Sequence, residues 1–290
     1  MIAITRAALC AASCLLFTGI QAQERPLDAP EAAYWHEASS SWFVTNLGNG
    51  MDLSMDGSGF IARYDASGEL TDARWLEGLH APTGLVSVGT TLFVVDRDGL
   101  ARIDLASATL AGKIPLPDAV FPNDVTATSD GALYVSDMAA NRIYRVAPGA
   151  AEAEIWLESA DLQHPNGLHP QADALVVAAW GLGLDLNTFA TERPGTLLRV
   201  DLASREISAI GSGEPIGHLD GVVQVGEDYF VTDWMAGRLL RVSPDGEAEI
   251  VLSGLPQMAD LGFSESGRVL AMPLMGDNRV LFLRLESLRR

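Results

Sequence analysis

Six stretches of this chain share one arrangement: a polar residue at the end of a loop, a short weakly apolar stretch, then a strand. Glu31 heads "PEAAY", Thr83 "PTGLV", Asn123 "PNDVT", Asn166 "PNGLH", Asp220 "LDGVV" and Asp260 "ADLGF". Five of these residues precede the end of the following strand by 13 or 14 positions, and Glu31 needs 15. Carboxylates and amide carbonyls are hard oxygen donors of the kind that suits Ca²⁺ or Mg²⁺. Three carboxylates gathered without a cation would repel one another, and an unpartnered buried charge is costly. Taken singly, each Asn or Asp is an ordinary turn residue. "SDG" at Ser129–Gly131 and "PDG" at Pro244–Gly246 are such turns. Position in the repeat separates the two uses.

The elements that must place these residues are strands. "SWFVTN", "TLFVVD", "ALYVSD", "ALVVAA", "YFVTD" and "RVLAMP" recur between Gly, Asp and Pro turns. Each is followed by a second strand carrying a basic or polar residue, as in "GFIARYD", "NRIYRVA" and "GRLLRVS". No long segment has a helical apolar period with caps. Short strands in regular units predict an all-β repeat protein. Six units of about 45 residues fit the four-stranded blades of a six-bladed β-propeller with a central channel. The innermost strands of a propeller line that channel. One residue at the same step of each blade therefore makes a ring around the axis.

The first 22 residues are set apart. Arg6 precedes an apolar run from Ala7 to Ile20, and small Ala22 is followed by polar "QER". This is the pattern of a secretory signal peptide cut after Ala22, and the run is short for a bilayer span. The propeller domain is then expected over 23–290, in a periplasmic or secreted protein with no membrane span after cleavage. Both cysteines, Cys10 and Cys14, lie in the leader, so the remaining chain is held by packing and not by disulfides. It also has no thiolate for a zinc site. The formal charge of −19 makes nucleic acid a poor partner. It suits either solubility or attraction of metal cations. A monomer is expected.

Loops entering the innermost strands share a face with those joining second and third strands. Two of the latter are long, Asn46–Gly59 and Trp180–Gly195, on opposite blades one and four. Long loops on a rigid scaffold are where substrate contacts tend to sit. His80, His164 and His218 lie just upstream of ring positions and are expected on this face, as proton carriers or as loop supports. His36 and His169 lack that placement and read as structural. Trp180 and Trp234 end second strands, where they wall the mouth or pack between blades. The segment Glu24–Ala29 is expected to pair with the last blade and close the ring.

"PE" at Pro30–Glu31, "PNG" at Pro165–Gly167 and "DG" at Asp220–Gly221 resemble the gluconolactonase, regucalcin and senescence marker protein group of six-bladed propellers. The luciferin-regenerating-enzyme-like proteins belong with it. Diisopropyl fluorophosphatase and paraoxonase are more distant relatives of the pattern. The resemblance runs from Pro30 to the C-terminus. It implies that Glu31, Asn166 and Asp220 hold a divalent cation in the channel, and that Asn123 contacts the ion or the substrate. Ca²⁺ is the first expectation, with Mg²⁺, Zn²⁺ and Mn²⁺ as alternatives. Thr83 and Asp260 are additional channel residues.

The chain departs from the group at "PEAAYW", where "EGP" and an aromatic are usual, and in the extra carboxylate of Asp260. No Arg closely follows Glu31 as it often does in sugar-lactone enzymes. The expected function is a metal-dependent hydrolase of a small-molecule lactone or related ester. Asp220, or a water it orients, is the expected base or nucleophile, with His218 and His164 as the other catalytic candidates. The alternatives are a non-catalytic ligand-binding or scaffold propeller with a structural metal, and a phosphotriesterase-like activity at the same site.

Overall fold

The computed structural model describes residues 26–288. The leader and both cysteines lie outside the described residues. Those described form six antiparallel sheets around a channel, with only four short 3₁₀ segments as helix. The innermost strands are Pro30–His36, Leu85–Val88, Pro122–Ala127, Pro165–Pro170, Leu219–Val225 and Gly262–Ser264. Each pairs with the strand expected from the repeat: Ser41–Asn46, Thr91–Asp96, Leu133–Asp137, Ala174–Ala179, Asp228–Asp233 and Val269–Leu274. Five blades have four strands and blade six has three among the described residues. A two-stranded hairpin, Gly181–Leu182 with Arg193–Pro194, rises from blade four within the second long loop.

Packing follows from the side-chain alternation of a strand covered on both faces. In "TLFVVD" of blade two, Leu92 and Val94 pack toward Phe43 and Ile61 of blade one. Val95 packs the other way, against Val125 and Tyr144 of blade three. Because each sheet is sandwiched by two neighbours, its strands are near-continuous apolar runs. The core is thus six apolar layers, one between each adjacent pair of blades. Each fully buried Leu or Val in such a layer contributes about 1.5–3 kcal/mol.

Ring closure differs from the sequence expectation. Residues 24 and 25 lie outside the described residues, and residues 26–29 pair with no strand of blade six. This segment runs instead along blade one, where Leu47 N–H bonds Ala29 O at 3.1 Å and Gly48 N–H bonds Asp28 O at 3.2 Å. Its link to blade six is a side chain: Ala29 N–H donates to Asn278 Oδ1 at 2.7 Å. Packing closes the gap. Leu27, Trp42, Val269 and Ala271 are buried together with Phe282 against them, and the Trp42 and Phe282 rings lie 5.7 Å apart. Two backbone bonds join the innermost strands across the seam, Asp260 N–H to Glu31 O at 2.9 Å and Ala33 N–H to Asp260 O at 3.2 Å.

Candidate functional site

In blades one, two, three and five the polar residue that ends the second strand sets the loop before the ring position. Asn46 Oδ1 accepts from Asp28 N–H at 3.1 Å, and Asp96 Oδ1 from His80 N–H at 2.7 Å. Asp137 takes both Val120 and Phe121 N–H, at 2.8 and 2.9 Å. Asp233 Oδ1 accepts from His218 N–H at 3.2 Å. Blade four ends its strand in Ala179, and there Asn141 of blade three accepts from His164 N–H at 2.6 Å. These acceptors satisfy loop N–H groups that burial would otherwise leave unpaired. In doing so they fix the residues that follow.

The next residue along is held by hydroxyls. Thr45, Ser136 and Thr232, one before the strand end in blades one, three and five, accept from Ala32, Asp124 and Gly221 N–H at 3.0, 2.9 and 2.8 Å. Ser136 passes the bond on to Asn166 O at 2.7 Å and so couples blade three to blade four. The inner strands come so close that glycines are required by space, Gly167 and Gly221 among them. A Cβ on Gly167 would collide with the carbonyl oxygen of Asp220, and one on Gly221 with the Asp260 carboxylate.

Glu31, Thr83, Asn123, Asn166 and Asp220 are all buried and all line one cavity of ≈ 300 Å³ at the channel mouth. Four of them present an oxygen with no hydrogen-bond partner: Glu31 Oε2, Asn123 Oδ1, Asn166 Oδ1 and Asp220 Oδ1. Buried acceptors are nearly always paired, so four orphans from four blades on one cavity need a common explanation. Asn166 Nδ2 donates to Met138 Sδ at 3.7 Å, which turns its oxygen to the cavity. Thr83 is the exception in the set. Its hydroxyl donates to Asn123 O, and it positions Asn123.

The structure corrects Asp260. In blade six Met258 pairs with Leu274, so the ring step belongs to Ala259. Asp260 pairs with Ala32 and stands one residue further along, where the other blades carry Ala32, Gly84, Asp124, Gly167 and Gly221. The second strand of blade six runs past the "RVLAMP" stretch to Leu274, which sets the ring step one residue earlier. Asp260 and Asp124 line a second cavity of ≈ 250 Å³ that does not include the ring residues. Asp124 was missed in the sequence. The available signal was a charged residue where Gly or Ala otherwise stands.

Neither cavity is lined by Lys or Arg. Burial pushes the carboxyls up. Glu31 is held well above the usual range by burial first, then by Asp220 and Asp124. Asp220 is pushed up to about 8 by burial and by Asp124. Asp124 is pushed up to about 7 by burial, against the backbone N–H bonds it accepts from Leu168 and Val125. Asp260, partly accessible, is raised by burial and by the other three. Two carboxylates and two amides are a donor set that fits a hard divalent cation. No cluster of three or more His, Cys, Asp or Glu side chains forms a metal centre among the described residues, and the oxygen set here includes only two such residues.

The catalytic candidates separate. Asp220 is on the cavity wall. His164 and His218 are not among the lining residues. His164 Nδ1 lies 2.8 Å from Met138 O, so it supports the residue against which Asn166 rests. His218 Nε2 meets Thr191 Oγ1 at 2.9 Å in the second long loop, and burial lowers its pKa. His80 does the same for the first long loop, accepting from Gly57 N–H at 3.0 Å. His169 is half-buried and lines the second cavity, and desolvation there lowers its pKa to about 4. His36 holds Ser39 Oγ at 2.8 Å. Both long loops reach the ring cavity, through Met51 and Leu53 and through Asn187 and Phe189, and Trp180 and Trp234 complete the wall.

No protein-family model matches the chain, and no curated protein matches it in sequence. Solved structures match its fold. One is regucalcin, described as a calcium-binding protein, from Agrobacterium tumefaciens C58. It is 19% identical with a TM-score of 0.64, and the match covers 85% of this chain and 82% of that one. A gluconolactonase from Xanthomonas campestris is 16% identical with a TM-score of 0.60, covering 85% and 83%. A chain of the nidogen/laminin complex is 13% identical with a TM-score of 0.62, covering 90% of each. The fold is a six-bladed β-propeller whose structural neighbours include gluconolactonase- and regucalcin-like proteins. At these identities the likeness concerns the fold.

Proposed function

We propose that this protein is a divalent-cation-dependent hydrolase of a lactone or related ester, with Ca²⁺ the first ion to test. The observation that carries the proposal is the set of four orphaned, buried oxygens on Glu31, Asn123, Asn166 and Asp220, all on one open cavity. These residues would hold the ion. A bound divalent cation supplies charge neutralisation and Lewis-acid polarisation of a carbonyl oxygen.

The chain's own residues do the rest. Asp220 accepts a proton from the attacking water; beside a cation its carboxyl ionises at lower pH than burial alone allows. Asn123 and Asn166 orient oxygens without adding charge. Met138 fixes the Asn166 amide, and Trp180 and Trp234, which line the same cavity, shield it from bulk water. The neighbours described as regucalcin and gluconolactonase agree with this reading. The leader expected over residues 1–22 would place the protein in the periplasm or outside the cell, acting as a monomer on a small molecule.

A panel of lactones and esters, assayed with chelated and with Ca²⁺-reloaded protein, tests the proposal. Turnover that disappears on chelation and returns on reloading is expected. Verified cation binding with no turnover across the panel would favour the scaffold alternative, a role consistent with the fold shared with the nidogen/laminin chain.

A further inference from the structure

The wall of the ring cavity is apolar. Apart from the ring residues themselves, it is built from Leu, Met, Phe and Trp side chains, with Asn187 the one other polar residue and no Lys or Arg. A polyhydroxylated substrate needs several convergent donors and acceptors, because each hydroxyl buried without a partner costs free energy. That wall does not supply them. Trp180 and Trp234 spend their indole N–H groups internally, on Phe189 O at 2.8 Å and Met275 Sδ at 3.3 Å, and so present only ring faces and edges.

The apolar character continues outward. Of the nine exposed large hydrophobic side chains among the described residues, six lie on loops of this face: Met51, Met55, Val120, Leu182, Leu186 and Met235. The other three, Leu110, Ile155 and Ile250, are on outer strands. Met51 belongs to both sets, lining the cavity while half-exposed at its rim. A cavity of ≈ 300 Å³ is at the small end for organic ligands. It holds a small ring, and a chain attached to that ring would leave along the Met- and Leu-bearing loops. Met side chains adapt to varied apolar shapes.

Resting on the hydrolase reading, we infer that the substrate is a lactone or ester bearing an aliphatic or aromatic substituent, and not a sugar lactone. The ring oxygens take the polar head. The Asn46–Gly59 and Trp180–Gly195 loops take the apolar arm.

The test uses the Ca²⁺-loaded full-length protein and two series of probes. γ-Lactones with side chains from methyl to hexyl report turnover. The matching γ-lactams, with δ-gluconolactam as the polar comparison, report binding through quenching of tryptophan fluorescence. Each added methylene should tighten lactam binding about three- to fourfold, and the hexyl lactam should bind about 100-fold or more tighter than gluconolactam. Met51→Ser and Leu53→Ser should flatten that slope. A dissociation constant independent of chain length, a preference for gluconolactam, or an unchanged slope in both variants would overturn the inference. Lactam binding with the expected slope but no lactone turnover would sink the hydrolase reading and leave the apolar ligand standing. Turnover of gluconolactone and alkyl lactones alike, with no slope, would do the reverse.

Discussion

Asp124 and Asp260 stand at the same step of opposite innermost strands, one residue past the step that carries Asn123 in blade three and Ala259 in blade six. Together with Glu31 and Asp220 they put four carboxyls in a channel whose two cavities have no lining Lys or Arg. Their raised pKa values mean that the folded chain holds protons which an unfolded chain releases near pH 4. The stability they contribute is therefore fully present below about pH 4. It is lost as pH rises through the folded values, about 7 for Asp124 and about 8 for Asp220. The chelated protein should melt progressively lower between pH 5 and pH 9, and Ca²⁺ should restore more of the melting temperature at the upper end. A chelated protein whose melting temperature is flat across this range would count against an unneutralised carboxyl cluster.

Asp260→Asn separates the deeper pair from the ring. Because Asp260 is off the ring step, Ca²⁺ stoichiometry should stay unchanged. Removing one of four repelling carboxylates should raise the melting temperature of the chelated protein at pH 8. A gain of about 1 kcal/mol corresponds to about 2–4 °C in a chain of this size. Loss of cation binding, measured by titration calorimetry, would return Asp260 to the ligand set.

Asp220→Asn and Asn166→Asp test base against ligand. The first keeps an oxygen at the site but cannot accept a proton, so turnover should stay down by on the order of 10²-fold even at saturating Ca²⁺. The second adds charge and removes no base, so it should bind the cation at least as well as the parent. Full recovery of Asp220→Asn at high Ca²⁺ would make Asp220 a ligand only.

His218→Ala addresses the role of the upstream histidines. Losing the bond to Thr191 should loosen the second long loop and raise KM, while the pH dependence of kcat keeps its shape. Disappearance of a limb of the kcat profile would instead make His218 a proton carrier.

Gly167→Ala tests the spacing of the inner strands. The added methyl meets the Asp220 carbonyl and the Gly221 Cα, so the ring must widen. Overpacking of this kind costs about 1–3 kcal/mol. Cation affinity should fall together with the melting temperature; a fall in neither would mean that the strands yield freely.

The sequence by itself determined the repeat. Runs such as "TLFVVD" and "ALYVSD" are apolar on both faces because each strand is covered by two neighbouring blades, and that constraint is written in every unit. It also placed Glu31, Asn123, Asn166 and Asp220 at one step of their blades, since each lies 13 to 15 residues before the end of a second strand. Where the offset varies, pattern alone did not suffice. The last second strand runs one residue past Pro273, to Leu274, which takes Asp260 off the ring and puts Ala259 there. Asp124 stayed hidden beside Asn123 because its significance lies in contrast: blades one, two, four and five carry only Ala or Gly at that step. Whether a histidine near the ring faces the cavity or a loop is a matter of side-chain direction. Only the tertiary structure brings Thr191 to His218, Gly57 to His80 and Met138 to His164. Ring closure, too, was decided by the apolar seam of Leu27, Trp42 and Phe282, because packing across 240 residues of intervening chain leaves no local signature in the sequence.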